Sequence, residues 1–323
     1  ACTALLGAPI DPARPYKQTG QFELVKDWTF GRERDGATID ERADLDREFF
    51  YRYIYENGKL DGLKTYWSYH RDYPDGDPRS LHVFDACTLT LKGRIPPGGG
   101  LKPRGLESGM LRAKLPVTAG MYIEMRAKLP TGIGAWPAFW LNPGVQYPDG
   151  RFSELPWPPE IDIFEFFNWQ GRPRTRVMTG YVQTHGKPER YGNPKDLWTR
   201  FKKNEYVPGF DFSEDFHVFA LDWQKDKPIW LLDGEPIKQT YYEWRVPVPA
   251  HILVTNQLGM LDGHGGVILD GSVVAALKLA PGLRWIQQRP DLIDKLPCSL
   301  GGNRFRLVQR FINAHDHRRD RPQ

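Results

Sequence analysis

The chain has 323 residues and a formal net charge of +4, from 44 basic and 40 acidic side chains. This length fits one large all-β domain or two ordinary domains, and the weak positive charge does not indicate a nucleic-acid-binding protein. Aromatic residues make up 13% of the chain, and 32 Gly and 28 Pro supply many turns, so the composition favours an all-β sandwich or barrel over a helical fold.

The chain begins with a segment rich in Pro, Gly and Ala, and residues 1–20 are predicted to form an extended leader. Within it, Cys2 in ACTALLG stands where a bacterial lipoprotein would carry its lipidated cysteine, which would attach an otherwise soluble protein to a membrane. The other cysteines, Cys87 and Cys298, show no metal-ligand spacing, and a disulfide between them is one option. No apolar stretch approaches the roughly 20 residues that a bilayer span requires.

Strand signals recur through the middle of the chain, as short apolar and aromatic runs separated by turn residues. They include SLHVFDACTLTLKG, GMLRAKLPV, GMYIEMRAKLP, GAWPAFWLN, EIDIFEFF, RVMTGYVQTH, DFHVFALDWQ, KPIWLLDG and HILVTNQLG. The pair Asp233-Gly234 separates two such runs and predicts a two-residue hairpin, because both turn positions require positive φ. These signals predict antiparallel meanders within a single domain over residues 21–314.

Residues 259–302 have a different pattern and are predicted to form an insertion before the last strand, RFRLVQRFI. The segment opens with the Gly-rich GMLDGHGG and continues with SVVAALKLA and RPDLIDKL, which are compatible with helical turns. Residues 315–323 are predicted to form a polar tail.

Three carboxylates, Glu160, Asp162 and Glu165, lie in the run EIDIFE, whose other residues are typical of a buried strand. Because side chains alternate along a regular strand, Glu160 and Asp162 would share one face and Glu165 would point to the other. A β-bulge near Ile163 or Phe164 would absorb one residue and return Glu165 to the face of the other two acids. Three carboxylates on one face repel one another, so at least one pKa should rise. The alternative is the charged outer face of an edge strand.

A protonated carboxyl beside an ionised carboxylate is what retaining glycoside hydrolysis requires. One acid attacks the anomeric carbon, while the second, roughly 5 to 5.5 Å away, protonates the leaving oxygen and later activates water. Nearby tryptophans support this interpretation, because pyranose rings stack on indole rings. GAWPAFWLN places Trp136 and Trp140 on one strand face, and Trp157 precedes Glu160 by three residues. For each tryptophan alone, core packing is the alternative.

The motifs GAWPAFWL, EIDIFE and FHVFALDWQKDKPIWLLDG resemble glycoside hydrolase family 16 in their order and spacing. The upstream run ESGMLRAKLPVTAGMYIEMRAKLPTGIG also resembles that family's approach to the catalytic region, so the resemblance covers about residues 105–260. It implies a concanavalin A-like β-jelly-roll sandwich of two antiparallel sheets with a concave substrate cleft. It further implies endo-acting hydrolysis of a β-linked polysaccharide with retention of configuration.

The resemblance also implies roles for individual residues. Glu160 matches the nucleophile, Asp162 the assisting acid and Glu165 the general acid/base, while Trp136 and Trp157 match tryptophans that line the sugar subsites. The other candidate substrate-binding residues are Trp140, on the face of Trp136; His185 in YVQTHG, which matches a histidine near the acid/base; Asn256, on a strand that resembles one reaching the cleft; and Arg172 in GRPRTR, which would contact an anionic substrate.

The six-residue form of the acid strand resembles the laminarinase, agarase and carrageenase branches of the family. The candidate substrates are therefore β-1,3-glucan and a sulfated galactan or other acidic polysaccharide. Transglycosylation at the same site and a non-catalytic carbohydrate-binding jelly roll are the alternative functions. No redox or nucleotide cofactor is implied, but the family suggests a structural calcium ion. We expect a monomeric protein that is secreted, periplasmic or attached to the cell surface.

Overall fold

The computed structural model describes residues 22–31, 38–51, 68–70, 73–74, 76–86, 88–100, 105–131, 134–143, 160–167, 178–184, 187–188, 205–224, 228–240, 249–258, 260–261, 267–268, 275–279 and 283–288. The predicted leader, the polar tail and the run RFRLVQRFI lie outside the described residues. Within the described ranges, no helix is both long enough and apolar enough to cross a membrane.

The described part of the chain contains 21 strands and one short helix. In chain order the elements are β1 (Phe22–Trp28), α1 (Arg42–Glu48), β2 (Phe49–Phe50), β3 (Ser68–His70), β4 (His82–Phe84), β5 (Leu89–Arg94), β6 (Leu106–Ser108), β7 (Met110–Ala113), β8 (Met121–Lys128), β9 (Ala135–Pro143), β10 (Glu160–Glu165), β11 (Met178–Thr184), β12 (Lys187–Pro188), β13 (Glu205–Tyr206), β14 (His217–Trp223), β15 (Ile229–Leu232), β16 (Glu235–Gln239), β17 (Ala250–Leu258), β18 (Met260–Leu261), β19 (Val267–Ile268), β20 (Ala275–Leu279) and β21 (Leu283–Gln288). Strands thus dominate, as the composition predicts.

Most of the strands belong to two large sheets. The first, here called the support sheet, has 11 strands and contains the path β16-β15-β14-β8-β20-β5-β6-β3, with β1, β4 and β21 attached to it. The second, here called the acid sheet, has 8 strands and contains the path β12-β11-β10-β9-β17-β7-β2, with β13 paired to β11. The named strands pair antiparallel, except for β3 and β6, which run parallel.

The main apolar core contains side chains from both sheets. Phe139 and Ile161 of the acid sheet are fully buried in one cluster with Phe219 and Leu221 of the support sheet. Direct contact between the layers is seen at Phe164, whose ring centroid lies 4.4 Å from that of Phe219. Because one face of the acid sheet is occupied by this core, its other face is the one left for polar and charged side chains.

The predicted hairpin is present between β15 and β16. Asp233 has φ of 49° and Gly234 has φ of 82°, and the flanking residues Leu232 and Glu235 pair across the turn. The Asp233 carboxylate also accepts a hydrogen bond of 2.8 Å from the backbone N–H of Val218, which fixes the turn against β14. The Asp-Gly signal therefore predicted this turn correctly.

The expectation of helical turns in SVVAALKLA is wrong where the structure describes this segment. Ala275–Leu279 forms β20, which pairs with β5 and β8, and Leu283–Gln288 forms β21, which pairs with β1 and β8. Part of the segment interpreted as an insertion therefore supplies two strands of the support sheet. Ala, Leu and Lys are good helix formers, but intrinsic helix propensity is a small energy per residue, so pairing with neighbouring strands overrides it.

Candidate active site

The acid strand β10 contains the predicted bulge, and its pairing with β11 shows it clearly. Asp162 pairs with Tyr181 and Glu165 pairs with Thr179, so three steps along β10 correspond to two along β11. Two residues of β10 therefore oppose the single residue Gly180. This is the two-against-one arrangement that defines a β-bulge.

The pairing of β10 with β9 locates the extra residue on the other side of the strand. Asp162 pairs with Trp140, and Phe164 pairs with the next residue back along β9, Phe139. Ile163 is thus the residue skipped by this ladder. The bulge lies where the sequence predicts it, between Asp162 and Glu165.

The bulge allows apolar and acidic residues to occupy opposite faces of one short strand. Ile161, Ile163 and Phe164 are fully buried in the core between the sheets, whereas Glu160 and Glu165 are only partly buried. The same six residues in a regular strand without the bulge would have directed Glu165 into that core. The bulge thereby avoids burying the Glu165 carboxylate as an isolated charge in the apolar core.

The carboxyl of Glu165 has a strongly raised pKa. Burial raises its pKa, the nearby charge of Glu160 raises it further, and the pKa reaches about 7. The indole N–H of Trp136 opposes this rise by donating a 3.0 Å hydrogen bond to Glu165 Oε1. The rise predicted for one member of the triplet therefore falls on Glu165, which can exchange a proton near neutral pH.

The face that carries the triplet, here called the acid face, continues across β9 and β17. Opposite Glu165 on β9 lies Ala138, which pairs in turn with Thr255 of β17. Trp136 pairs with Gln257 on the same two strands. By strand alternation, these side chains lie on the face opposite the core and form a strip beside the acids.

The two tryptophans of β9 share this face, as the alternation in GAWPAFWLN predicts, but their exposure differs. Trp136 is partly exposed, and its ring centroid lies 5.3 Å from that of Phe167. Trp140 is only 8% exposed to solvent, and it belongs to a small buried cluster with Met110 and Leu253. The sugar-stacking role of Trp136 therefore stays a prediction that its exposure permits, whereas Trp140 packs in the cluster and does not present an open ring to a substrate.

Asn256 does not lie on the acid face, which corrects the prediction that it contacts substrate. It is fully buried, and its Nδ2 donates a 2.9 Å hydrogen bond to the backbone carbonyl of Leu91 in the support sheet. Its neighbours Val254 and Leu258 are buried on the same side of β17, and Leu258 meets Gly93 of the support sheet. Asn256 therefore links the two sheets.

Several predicted residues lie outside the described part of the chain. They are the candidate substrate-binding residues Trp157, Arg172 and His185, and the cysteines Cys2, Cys87 and Cys298. The structural calcium suggested by the family resemblance stays a prediction; among the described residues, no group of three or more His, Cys, Asp or Glu side chains could hold a metal ion.

Sequence reasoning missed two residues that contact the acid strand and its neighbour from the support sheet. Trp230 donates from Nε1 to the backbone carbonyl of Asp162 at 2.9 Å, and Lys238 donates from Nζ to the backbone carbonyl of Gly180 at 2.8 Å. The only local signal is the lysine itself, a charged residue in the strand run EPIKQ; the tryptophan in KPIWLLDG reads as ordinary core.

Sequence comparisons place the chain among carbohydrate-active proteins. A model of the family described as Glycosyl hydrolases family 16 matches residues 85–264. A glucan endo-1,3-beta-glucosidase of Cryptopygus antarcticus is 34% identical over 139 residues, covering 43% of this chain and 46% of that protein. A beta-1,3-glucan-binding protein of Penaeus monodon is 35% identical over 116 residues, covering 34% of this chain and 28% of that protein. The chain thus spans less than half the length of either relative.

The fold has a counterpart among solved structures. The catalytic domain of an endo-1,3-beta-glucanase (laminarinase) from Thermotoga petrophila matches with a TM-score of 0.57 and 21% identity, over 84% of this chain and 100% of that chain. At this level of identity the likeness concerns the fold. It confirms the predicted all-β sandwich of the jelly-roll type.

Proposed function

The chain belongs to glycosyl hydrolase family 16, and on this premise we propose that it is a retaining, endo-acting β-glycanase whose substrate is a β-1,3-linked glucan. One observation carries the mechanism: the bulge in β10 puts Glu160 and Glu165 on the same face and close enough for the charge of one to raise the pKa of the other. The glucan assignment is supported by the activity named for the Cryptopygus relative.

In the first step, the Glu160 carboxylate attacks the anomeric carbon of the sugar on one side of the scissile bond. Glu165, protonated at a pH below its pKa of about 7, gives its proton to the glycosidic oxygen as the bond to the leaving sugar breaks. The products of this step are a free reducing-end-side sugar and a glycosyl ester on Glu160. Attack by a carboxylate inverts the anomeric carbon once.

In the second step, Glu165 acts as a base. Now ionised, it takes a proton from a water molecule whose oxygen attacks the anomeric carbon, and the ester bond to Glu160 breaks. The second inversion restores the original configuration. The change of role is supported by the position of the Glu165 pKa near neutrality, because the group must give and take a proton at the same pH.

Two neighbours support this assignment. Asp162 is buried between the two glutamates along β10, where its side chain can interact with the nucleophile during ester formation and cleavage. Trp136 hydrogen-bonds Glu165 directly and is partly exposed beside it, so its ring can stack on the sugar adjacent to the bond that is cleaved.

A second candidate function is carbohydrate binding without catalysis, which is favoured by the similarity to the glucan-binding protein of Penaeus monodon. The acid triplet argues for catalysis. A binding surface gains nothing from carboxylates that repel one another, and the raised pKa of Glu165 is a property that proton transfer uses. Transglycosylation shares the covalent intermediate and differs only in replacing water with a sugar acceptor.

The test is a reducing-end assay on laminarin, mixed-linkage glucan, agarose and carrageenans, with wild type, Glu160→Gln and the matched control Glu235→Gln. Glu235 is an exposed glutamate at the start of β16. We expect hydrolysis of laminarin by wild type and E235Q, and loss of at least about 1,000-fold in kcat for E160Q with binding retained. Cleavage by E160Q at the wild-type rate would overturn the nucleophile assignment. Glucan binding by wild type without any cleavage would establish the binding function instead.

A further inference from the structure

Two buried polar side chains of the support sheet reach across the core to the bulge. Trp230 of β15 and Lys238 of β16 are both fully buried. The Trp230 indole N–H donates to the Asp162 carbonyl at 2.9 Å, and the Lys238 ammonium donates to the Gly180 carbonyl at 2.8 Å. Their targets are the two backbone positions that frame the bulge.

One of these carbonyls precedes the bulged pair on β10, and the other lies opposite that pair on β11. Asp162 is the last residue of β10 in regular register with β11, and Gly180 is the residue of β11 that the bulged pair opposes. A bulge interrupts the regular ladder, so backbone groups around it depend on partners from elsewhere. Here those partners include side chains of the opposite sheet, which tie the irregular segment to a rigid layer.

Trp230 and Lys238 also form one unit. They are direct partners in the antiparallel pairing of β15 with β16. The Lys238 Nζ lies 4.6 Å from the centroid of the Trp230 ring, within the range of a cation–π interaction. The charged lysine thus supports the ring whose N–H holds Asp162, and the Asp233-Gly234 turn fixes the two strands that carry the pair.

We propose that Trp230 and Lys238 are positioning residues for the acid triplet, acting through the Asp162 and Gly180 carbonyls to fix the shape of the bulge. The inference rests on the proposed hydrolase function. Both side chains lie on the core side of the acid sheet, so neither touches the sugar. They set how Glu165 stands relative to Glu160 on the far side of the strand, and this geometry matters to bond breaking more than to substrate binding.

The test compares Trp230→Phe with the matched control Trp28→Phe. Trp28 is equally buried and also donates an indole N–H bond of 2.9 Å, to Glu48, but its strand β1 pairs with β21 and not with any strand of the acid sheet. Both variants lose one N–H and the same aromatic volume. On laminarin, we expect W230F to lose about 10-fold or more in kcat with KM within about twofold of wild type, and W28F to keep both constants.

Lys238→Met and the double variant W230F/K238M test whether Trp230 and Lys238 act together. K238M keeps the length of the side chain and removes the ammonium, so we expect kcat to fall with KM preserved. The double variant W230F/K238M should lose less kcat than the product of the two single losses, because the pair acts on one segment. If W230F does not fold, replacing the indole of Trp230 by the benzothiophene of benzothienylalanine removes the N–H and keeps the ring shape.

The outcomes separate this inference from the proposed function. Suppose that wild type cleaves laminarin and that W230F, or its benzothiophene isostere, has the same kcat as W28F. This result would overturn the positioning role and leave the hydrolase function standing. A rise in KM that matches the fall in kcat/KM would also overturn it, because it would show a loss of binding. Wild type that cleaves none of the polysaccharides would instead overturn the function itself.

Discussion

At Glu165, two effects that favour the protonated form outweigh one that favours the carboxylate. Burial and the charge of Glu160 raise the pKa, and the N–H bond from Trp136 lowers it, with a result of about 7 against an ordinary value of 4.5. The Trp136 bond limits the rise, so the proton can still leave near neutral pH. Removing the charge of Glu160 would lower the pKa of Glu165, and removing the Trp136 N–H would raise it.

The raised pKa predicts a stability effect that is independent of catalysis. Between about pH 4.5 and 7 the folded state holds a proton on Glu165 that the unfolded chain releases. The stability contributed by this proton is fully present below pH 4.5 and is lost as the pH rises through 7. Glu165→Gln mimics the protonated form at every pH. We therefore expect E165Q to have a higher free energy of unfolding than wild type at pH 8, by on the order of 1–3 kcal/mol, and a nearly equal one at pH 4.5.

Urea unfolding of both proteins at pH 4.5, 6 and 8 measures this difference, with the exposed Glu235→Gln as the control that should show no gain. A second check is E160Q, which removes the charge that helps to raise the Glu165 pKa. Wild type and E160Q should then differ in how steeply stability falls with pH, with the shallower fall in E160Q. An E165Q variant that is less stable than wild type at pH 8 would contradict the raised pKa.

The acid strand shows how one extra residue can serve both the core and the site. In β10, Ile161, Ile163 and Phe164 pack between the sheets, and the bulge lets the next residue, Glu165, rejoin the acid face. A five-residue strand with the pattern acid-apolar-acid-apolar-acid would achieve the same alignment by simple alternation. The extra residue therefore adds a buried side chain without moving the last acid to the other face.

This geometry predicts opposite results for removing and adding a residue. Deleting Ile163 leaves the run EIDFE, in which all three acids share a face without a bulge. We expect this variant to fold and to retain measurable hydrolysis of laminarin, with a loss of about 2–5 kcal/mol of stability from the missing buried side chain. Inserting Ala after Phe164 should instead turn Glu165 towards the core and abolish hydrolysis.

Thermal unfolding and reducing-end release distinguish the two variants. The matched control is Ile163→Ala, which loses most of the same buried side chain and keeps the bulge. If I163A is active while the deletion variant is fully inactive but folded, the bulge itself is required for catalysis. If the insertion variant is active, the strand can absorb a further residue and the alternation argument fails.

The strands differ in how much of their structure could be predicted. GAWPAFWLN alternates visibly, so the faces of Trp136 and Phe139 were predictable, and the acids of β10 marked the bulge because one of them broke the alternation. In β17 all nine residues are buried, so the sequence offers no contrast between faces and the side of Asn256 could not be read. The burial of Trp140 depends on residues of other strands, Met110 and Leu253, which local pattern cannot reveal.

At the scale of the molecule, the support sheet fixes the acid sheet through polar contacts as well as apolar packing. The hydrogen bonds that cross between the sheets include those from Trp230 to Asp162, from Lys238 to Gly180 and from Asn256 to Leu91. The partners are separated by 68, 58 and 165 residues along the chain. The spacing of residues in a motif informs only on contacts within a few residues along the chain. The alignment of the acids within β10 was therefore predictable, whereas the contacts that reach β10 and β11 from the opposite sheet were not.

The link between Asn256 and Leu91 predicts that two adjacent residues of β17 have different functions. Asn256 is fully buried between the sheets, and its neighbour Gln257 lies on the acid face as the partner of Trp136. Asn256→Ala leaves the buried Leu91 carbonyl without its amide donor, so we expect a loss of about 1–3 kcal/mol in the free energy of unfolding with kcat and KM for laminarin unchanged. Gln257→Ala should show the reverse, a change in kcat or KM larger than about threefold with a smaller loss of stability. Urea unfolding and steady-state kinetics of both variants decide the point, and an N256A protein of normal stability that binds laminarin poorly would return Asn256 to the substrate site.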